Sequence, residues 1–331
     1  MKKMMISTAL ATSLIAGVAS AETKVSAYIE TTLGSGETPA TTNQINQGTS
    51  IGYEHGVAFS GSKDLDNGMT LKTYFGIEDG SAADEKGITF VTGNTEIMIE
   101  SDVNNIDDKQ VVPTIINKIE DGNKGLGVSY NANKLTIHND NGIGVKHKFD
   151  MGTVSLKYVP KLAAGAGFND SNPAAVASGS GLAYGFEGGF GVDGLKVLVS
   201  INEVDQNGNS ATQIEQTMFG ASYNFGNITV GVQETTYDNT TTNSMTYSEG
   251  NETEALSYGA TIAVNDQVSL GIQYAELSGH AITADEEVTS ISAGYNLGGA
   301  TIGLQYHDAE NVDGTTGNDG EAIELRIKQK F

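Results

Sequence analysis

Ile291-Ser292-Ala293-Gly294-Tyr295-Asn296-Leu297-Gly298-Gly299-Ala300-Thr301-Ile302-Gly303-Leu304-Gln305-Tyr306 decides the fold. Ile291, Ala293, Tyr295 and Leu297 take every second position, with Ser292, Gly294 and Asn296 between them. After Leu297-Gly298-Gly299, Ile302, Leu304 and Tyr306 resume the alternation. A β-strand points successive side chains to opposite faces, so each run is a strand with one apolar and one polar face. The glycines tolerate the positive φ of a tight turn, which makes the stretch a hairpin.

The same phase recurs on both sides of it. Met69, Leu71, Phe75 and Ile77 alternate with Thr70, Lys72, Tyr74 and Gly76, and Val268, Leu270, Ile272 and Tyr274 alternate with Ser269, Gly271 and Gln273. Leu195-Val197-Val199-Ile201 and Phe219-Ala221-Tyr223-Phe225 repeat it. A period of 3.6 is sustained nowhere except weakly from Val111 to Ile119. A wall with lipid on one side and water on the other has to read this way for about ten residues at a time.

The connections are of two kinds that alternate along the chain. Leu65-Asp66-Asn67-Gly68, Val192-Asp193-Gly194, Phe225-Gly226-Asn227, Val264-Asn265-Asp266 and Leu297-Gly298-Gly299 are short turns. Long polar loops lie between them, near residues 34–50, 162–181, 205–213, 239–253, 278–286 and 310–320. Alternation of this kind gathers the turns at one end and the loops at the other, as in outer-membrane barrels.

Counting back from Phe331 to residue 152 and forward from residue 24 to residue 101 leaves 125–149 to supply at least one strand. There, Lys134-Leu135-Thr136-Ile137 and Ile143-Gly144-Val145-Lys146 read either as one bent strand or as a hairpin around Asn141-Gly142. Sixteen is the simplest even total. The expected fold is therefore all-β: a transmembrane antiparallel β-barrel of 16 strands with short periplasmic turns and long outer loops.

Lys2 and Lys3, the apolar run Met4–Val18 and Ala19-Ser20-Ala21 form the charged, apolar and small-residue regions of a secretory signal. Residues 1–21 are read as that signal and 22–331 as a single barrel domain. No apolar run approaches the ~20 residues of a membrane helix. The chain has no cysteine, so a disulfide framework is excluded. Without Lys2 and Lys3, Lys+Arg falls from 18 to 16 against Asp+Glu 41, a net charge of −25. Phosphate neutralisation needs clustered basic residues, so nucleic acid is not an expected partner.

Three stretches give the chain a family likeness: the strand Lys24-Val25-Ser26-Ala27-Tyr28-Ile29, the hairpin Phe59-Ser60-Gly61-Ser62-Lys63-Asp64-Leu65-Asp66-Asn67-Gly68, and a last strand ending in Phe331. With these the chain resembles the trimeric sixteen-stranded general porins of Gram-negative bacteria over essentially its whole mature length. The resemblance implies an outer-membrane homotrimer in contact with lipid, through which small hydrophilic solutes and ions diffuse passively without a cofactor. It also implies that Phe331, with Ile327 and Leu325 in phase behind it, is the signal read by the barrel-assembly machinery. Gln329 departs from that pattern.

In the resembled family the third outer loop folds into the barrel as a constriction. Here its counterpart runs from Asp102 to Lys124 and carries Asp102, Asp107, Asp108, Glu120 and Asp121. Val111, Val112, Ile115 and Ile116 lie between them as residues able to pack against the inner wall. The Pro-Glu-Phe-Gly run of many relatives is absent, and so is the family's arginine cluster, Arg326 being the sole arginine. Lys72, Lys146, Lys148, Lys157 and Lys196 alternate with apolar neighbours and are the expected basic wall opposite the loop. An acidic loop facing a basic wall creates a transverse field. A mild cation preference is expected from the acidic loop and the missing arginines.

Loosely held divalent cations are conceivable around Asp308, Glu310 and Asp313 or around Asp285, Glu286 and Glu287, though no defined metal site is legible. Asp205-Gln206-Asn207-Gly208-Asn209 opens like a calcium loop but fails at Ser210 and Gln216. No Gly-x-Ser-x-Gly, His-Glu-x-x-His or phosphate-loop motif occurs. His55, His138, His147, His280 and His307 are scattered singly, and an enzyme is not expected. Tyr28, Tyr53, Tyr158, Tyr223, Tyr274 and Tyr295 suit an interfacial girdle. The alternative fold is a secreted or surface β-sandwich binding protein or adhesin, which would bury its apolar strand faces between two sheets.

Overall fold

The computed structural model describes residues 22–37, 48–78, 86–101, 110–115, 142–160, 179–206, 213–239, 251–279 and 283–331. The strands are β1 (Glu22–Glu37), β2 (Gly48–Asp64), β3 (Thr70–Glu78), β4 (Lys86–Thr92), β5 (Thr95–Glu100), β6 (Gly142–Phe149), β7 (Gly152–Val159) and β8 (Gly179–Gly188). They continue as β9 (Leu195–Gln206), β10 (Gln213–Asn224), β11 (Ile228–Asn239), β12 (Asn251–Ala263), β13 (Val268–Gly279), β14 (Glu286–Asn296), β15 (Ala300–Glu310) and β16 (Gly320–Lys330). A 3-10 turn, Val312–Gly314, sits between the last two.

Each strand pairs antiparallel with the next, and β1 pairs with β16, so the sheet closes on itself. Closure satisfies every ladder without leaving an edge, which a wall in hydrocarbon requires. It excludes the two-sheet sandwich. No helix among the described residues is long and apolar enough to cross a membrane.

Exposure shows which face is which. Ile291 is 56% exposed and its neighbour Ser290 1%; Phe219 is 55% exposed and Met218 0%. The apolar set therefore faces outward and the polar set inward, the inverse of a soluble protein. The tight turns share one end of the barrel and the long connections the other. Gly68 (φ 82°) and Gly226 (φ 86°) hold left-handed positions in two of the turns, where a Cβ would be strained.

The described part of 125–149 is β6, which pairs directly with β5 on one side and β7 on the other, so no place is left beside it in the sheet for a hairpin partner. Lys134-Leu135-Thr136-Ile137 lies outside the described residues. β1 runs to Glu37 and β2 starts at Gly48, so the connection read as 34–50 is shorter than expected.

At the loop end, outward carboxylates stand directly opposite one another on neighbouring strands. Glu203 faces Glu215, Glu215 faces Asp238, and Asp238 faces Glu252. Glu276 faces Glu287, which faces Glu310 in turn, and Asp308 faces Glu321. Opposed like charges destabilise a strand pair, so this layer belongs at an aqueous, ion-rich level rather than in hydrocarbon. Tyrosines just below reach up to it. Tyr184 donates to Glu203 at 2.8 Å, Tyr274 to Glu287 at 2.7 Å, and Tyr306 to Glu321 at 2.7 Å. Tyr274 also stacks on Tyr258 with ring centroids 4.9 Å apart. Phenylalanines mark the turn end, where Phe186 stacks on Phe190 at 4.9 Å.

Candidate functional site: the lining of the barrel

A short segment of the long β5–β6 connection, Gln110–Ile115, lies inside the barrel against the inner wall. Glycines prepare its seat on five successive strands: Gly220 on β10, Gly231 on β11, Gly259 on β12, Gly271 on β13 and Gly294 on β14. A Cβ added at Gly220 would stand 2.4 Å from a Val111 methyl, and one at Gly231 would stand 2.7 Å from the Val111 carbonyl oxygen. At Gly259 the distance to a Val112 methyl would be 3.1 Å, and at Gly271 and Gly294 the distances to Ile115 carbons would be 2.8 and 2.6 Å. The backbone can approach so closely only because the wall there has no side chains.

Two glutamines clamp the segment. Val111 N–H donates to Gln233 Oε1 at 3.1 Å, and Gln273 Nε2 donates to the Pro113 carbonyl at 2.8 Å. Val111 packs in a buried cluster with Leu198 and Met218, and Val112 in another with Ala275, Val288 and Val312. Val111, Val112 and Ile115 thus meet the wall. Ile116 lies outside the described residues, as do Asp102, Asp107, Asp108, Glu120 and Asp121. The wall behind the segment is sealed, with Gln216, Gln233 and Gln305 fully buried. On the inner faces of β1–β3 toward the turn end, Lys24, Ser60 and Lys72 are exposed.

Lys72, Lys146, Lys148, Lys157 and Lys196 all sit in the inward phase of their strands. Three of them are held by carboxylates rather than standing as a bare basic wall: Lys72 by Glu96 at 3.1 Å and Lys157 by Glu100 at 3.0 Å, each across an intervening strand, and Lys196 by Glu187 of the adjacent strand at 3.1 Å. The Lys157–Glu100 pair is nearly enclosed, with side chains 7% and 10% exposed.

Arg326, the sole arginine, has a defined place in the lining. Arg326 pairs with Glu30 across the β1–β16 seam, and its Nε lies 3.6 Å from Glu324. Lys328 approaches Glu30 from the other side at 2.8 Å. The signal was available, because Arg326 and Lys328 alternate with Leu325 and Ile327 and so had to face inward. Tyr28 is corrected by the same logic. It faces inward over Gly56, with its hydroxyl between the carboxylates of Glu54, at 2.7 Å, and Glu78, so it is not part of the outer girdle. Tyr53, Tyr158, Tyr223, Tyr274 and Tyr295 do face outward.

Among the described residues, a serine meets a histidine on the inner wall. Ser290 Oγ lies 2.8 Å from His307 Nδ1, and Gln305 Nε2 donates to the same hydroxyl at 2.9 Å. His307 is 1% exposed, and its Nε2 has no partner among the described residues. A general-base histidine needs an orienting group on its second nitrogen and a route for substrate; this pair has neither and serves as wall packing. No three His, Asp or Glu side chains among the described residues are arranged to hold a metal. Glu286 faces inward while Glu287 faces out to Tyr274, so the two point to opposite sides of the wall.

The last strand closes the barrel. Phe331 N–H donates to the Ala27 carbonyl at 2.8 Å, and Phe331, Ile327 and Leu325 share the outward phase with Ile323.

The profile of the Gram-negative porin family matches residues 7–330. A refined porin structure superposes with a TM-score of 0.67 at 14% identity, covering 94% of this chain and 100% of its own. The loop L8 deletion mutant of OmpT, an outer membrane protein of Vibrio cholerae, gives 0.67 at 13% identity with the same coverage. A multiple mutant of Rh. blastica porin gives 0.61 at 14% identity, again covering 94% of this chain and 100% of that one. No curated protein sequence matches. The structural likeness speaks for the fold, and the profile runs through nearly the whole sequence. The chain belongs to the Gram-negative porin family and is a protein of the outer membrane.

Proposed function

We propose that small hydrophilic solutes and ions cross by diffusion through the part of the lumen that Gln110–Ile115 leaves open, with size set by that segment and charge bias set by the carboxylates flanking it. The observation that carries this reading is the seating of the segment inside a closed, polar-lined barrel. Such transport needs no cofactor. The inner-wall lysines are largely matched by carboxylates, so a bias has to come from the loop itself. A mild cation preference is the expected result.

Reversal potentials of the refolded mature protein in a planar bilayer under a salt gradient check it. Neutralising Asp107, Asp108, Glu120 and Asp121 together should move the potential toward zero. A wild-type potential of anionic sign would refute the preference, and repeated insertion without conductance would refute the channel.

A homotrimer is part of the proposal. It rests on family membership and on the likeness to in-vitro folded OmpT, described as a trimer form. Openings in multiples of three are expected in the same recordings.

We also assign Phe331 to recognition by the assembly machinery. The F331A variant should show less heat-modifiable protein in the outer membrane, while refolding in detergent stays as efficient as for the wild type. Equal losses in both settings would mean that Phe331 serves stability only.

A further inference from the structure

A second feature of the lumen lies apart from the constriction segment, on the opposite wall and toward the turn end. Lys24 on β1, Ser60 and Ser62 on β2, Lys72 and Tyr74 on β3, Thr89 on β4 and Glu96 on β5 line a cavity of about 320 Å³. The register explains the gathering, since Lys24 lies opposite Ser60, Ser62 opposite Lys72, and Lys72 opposite Thr89, all in the inward phase. The volume is at the small end of ligand pockets, which run from roughly 300 Å³ upward. Gly87 leaves room for the Tyr74 ring, whose Cε1 would stand 2.4 Å from a Cβ there.

We propose that this cavity is a weak binding subsite for compact anions that carry hydroxyl groups, such as hydroxycarboxylates or sugar phosphates, on their way through the channel. The inference rests on the channel reading above. An ammonium has three donors, and Lys72 gives one to Glu96 at 3.1 Å in a half-open setting where its side chain is 50% exposed. Its remaining donors supply positive charge, and the Lys24 ammonium, which has a contact of its own, adds to it. Ser60, Ser62 and Thr89 supply small hydroxyls able to donate or accept. Glu96 is the restraining element, because its carboxylate competes with the solute for Lys72. That competition keeps the site weak, as passage requires: binding strong enough to enter and loose enough to leave.

Current block of the refolded mature protein in a planar bilayer tests it, with gluconate, glucose 6-phosphate or glucose added on the turn side. Saturable block is expected with gluconate and glucose 6-phosphate but not with glucose, and the stronger of the two anions tells whether carboxylate or phosphate fits better. The K24Q/K72Q double variant should raise the half-blocking concentration about fivefold, the scale of two exposed ion pairs. E96Q should lower it, an effect that loss of structure would not produce. Conductance in plain potassium chloride reports that each variant is folded. Conducting channels that show no saturable block, or a block unchanged by K24Q/K72Q, overturn the subsite and leave the channel standing; absence of conductance overturns the channel itself.

Discussion

Replacing Gly231 with valine should push Gln110–Ile115 off the wall and toward the axis, lowering single-channel conductance and adding open-channel noise. Even the first added carbon would sit 2.7 Å from the Val111 carbonyl oxygen, 2.9 Å from Pro113 Cδ and 3.1 Å from Val112 Cα. The segment has no slack to absorb this, because glutamines hold it on both sides of the contact. Overpacking of this kind costs roughly 1–3 kcal/mol, comparable with the clamp formed by two hydrogen bonds of about 1 kcal/mol each. The outward phase of β11 is untouched, so the barrel should still insert. A G231V channel with wild-type conductance and exclusion size would show that the segment is not the narrowing element.

The second large effect concerns the seam. The R326M variant should destabilise the barrel by roughly 3–5 kcal/mol, the usual consequence of stranding one partner of a buried ion pair. Glu30 is 4% exposed, and its side chain lies between Arg326 and Lys328, so loss of Arg326 leaves a carboxylate enclosed with a single, more exposed cation. Those residues sit where the first and last strands meet, the ladder with the largest sequence separation. Urea unfolding in lipid vesicles measures the loss, and the double variant E30Q/R326M should recover part of it. A change under about 1 kcal/mol would mean that the seam is held by its backbone ladder alone, since exposed pairs contribute no more than that.

How much of this was readable beforehand follows from what a sequence can encode locally. The hairpins from β12 to β16 were legible because each outward face is apolar for most of its length and each turn carries glycine or asparagine. The upper parts of β1 and β2 were not, since Ser35 and Thr49 stand where the alternation would need apolar residues. There the strands rise past the hydrocarbon and no longer have to exclude water. The inward lysines followed from phase alone, whereas their carboxylate partners did not: Lys72 and Glu96 meet across an intervening strand, and only the register brings them together. The glycine seat is harder still. Gly220, Gly231, Gly259, Gly271 and Gly294 have no common spacing, and they form a track only after four strand pairings are fixed.

The tyrosine and carboxylate layers at the loop end also determine how the barrel rides in its membrane. On β16 the outward residues from Ile323 to Phe331 are apolar apart from Gln329, and Glu321 follows immediately above. Eight steps of ~3.4 Å along a strand tilted by ~40° give an apolar height of roughly 21 Å. That is a shallow draught. A thicker bilayer would have to thin around the barrel or submerge opposed carboxylates in hydrocarbon, and mismatch of this sort carries a cost for every ångström. The bacterial outer membrane is thinner than average, so the feature that looks like misplaced charge on a strand ladder acts as a waterline, matching the protein to that membrane and against thicker ones.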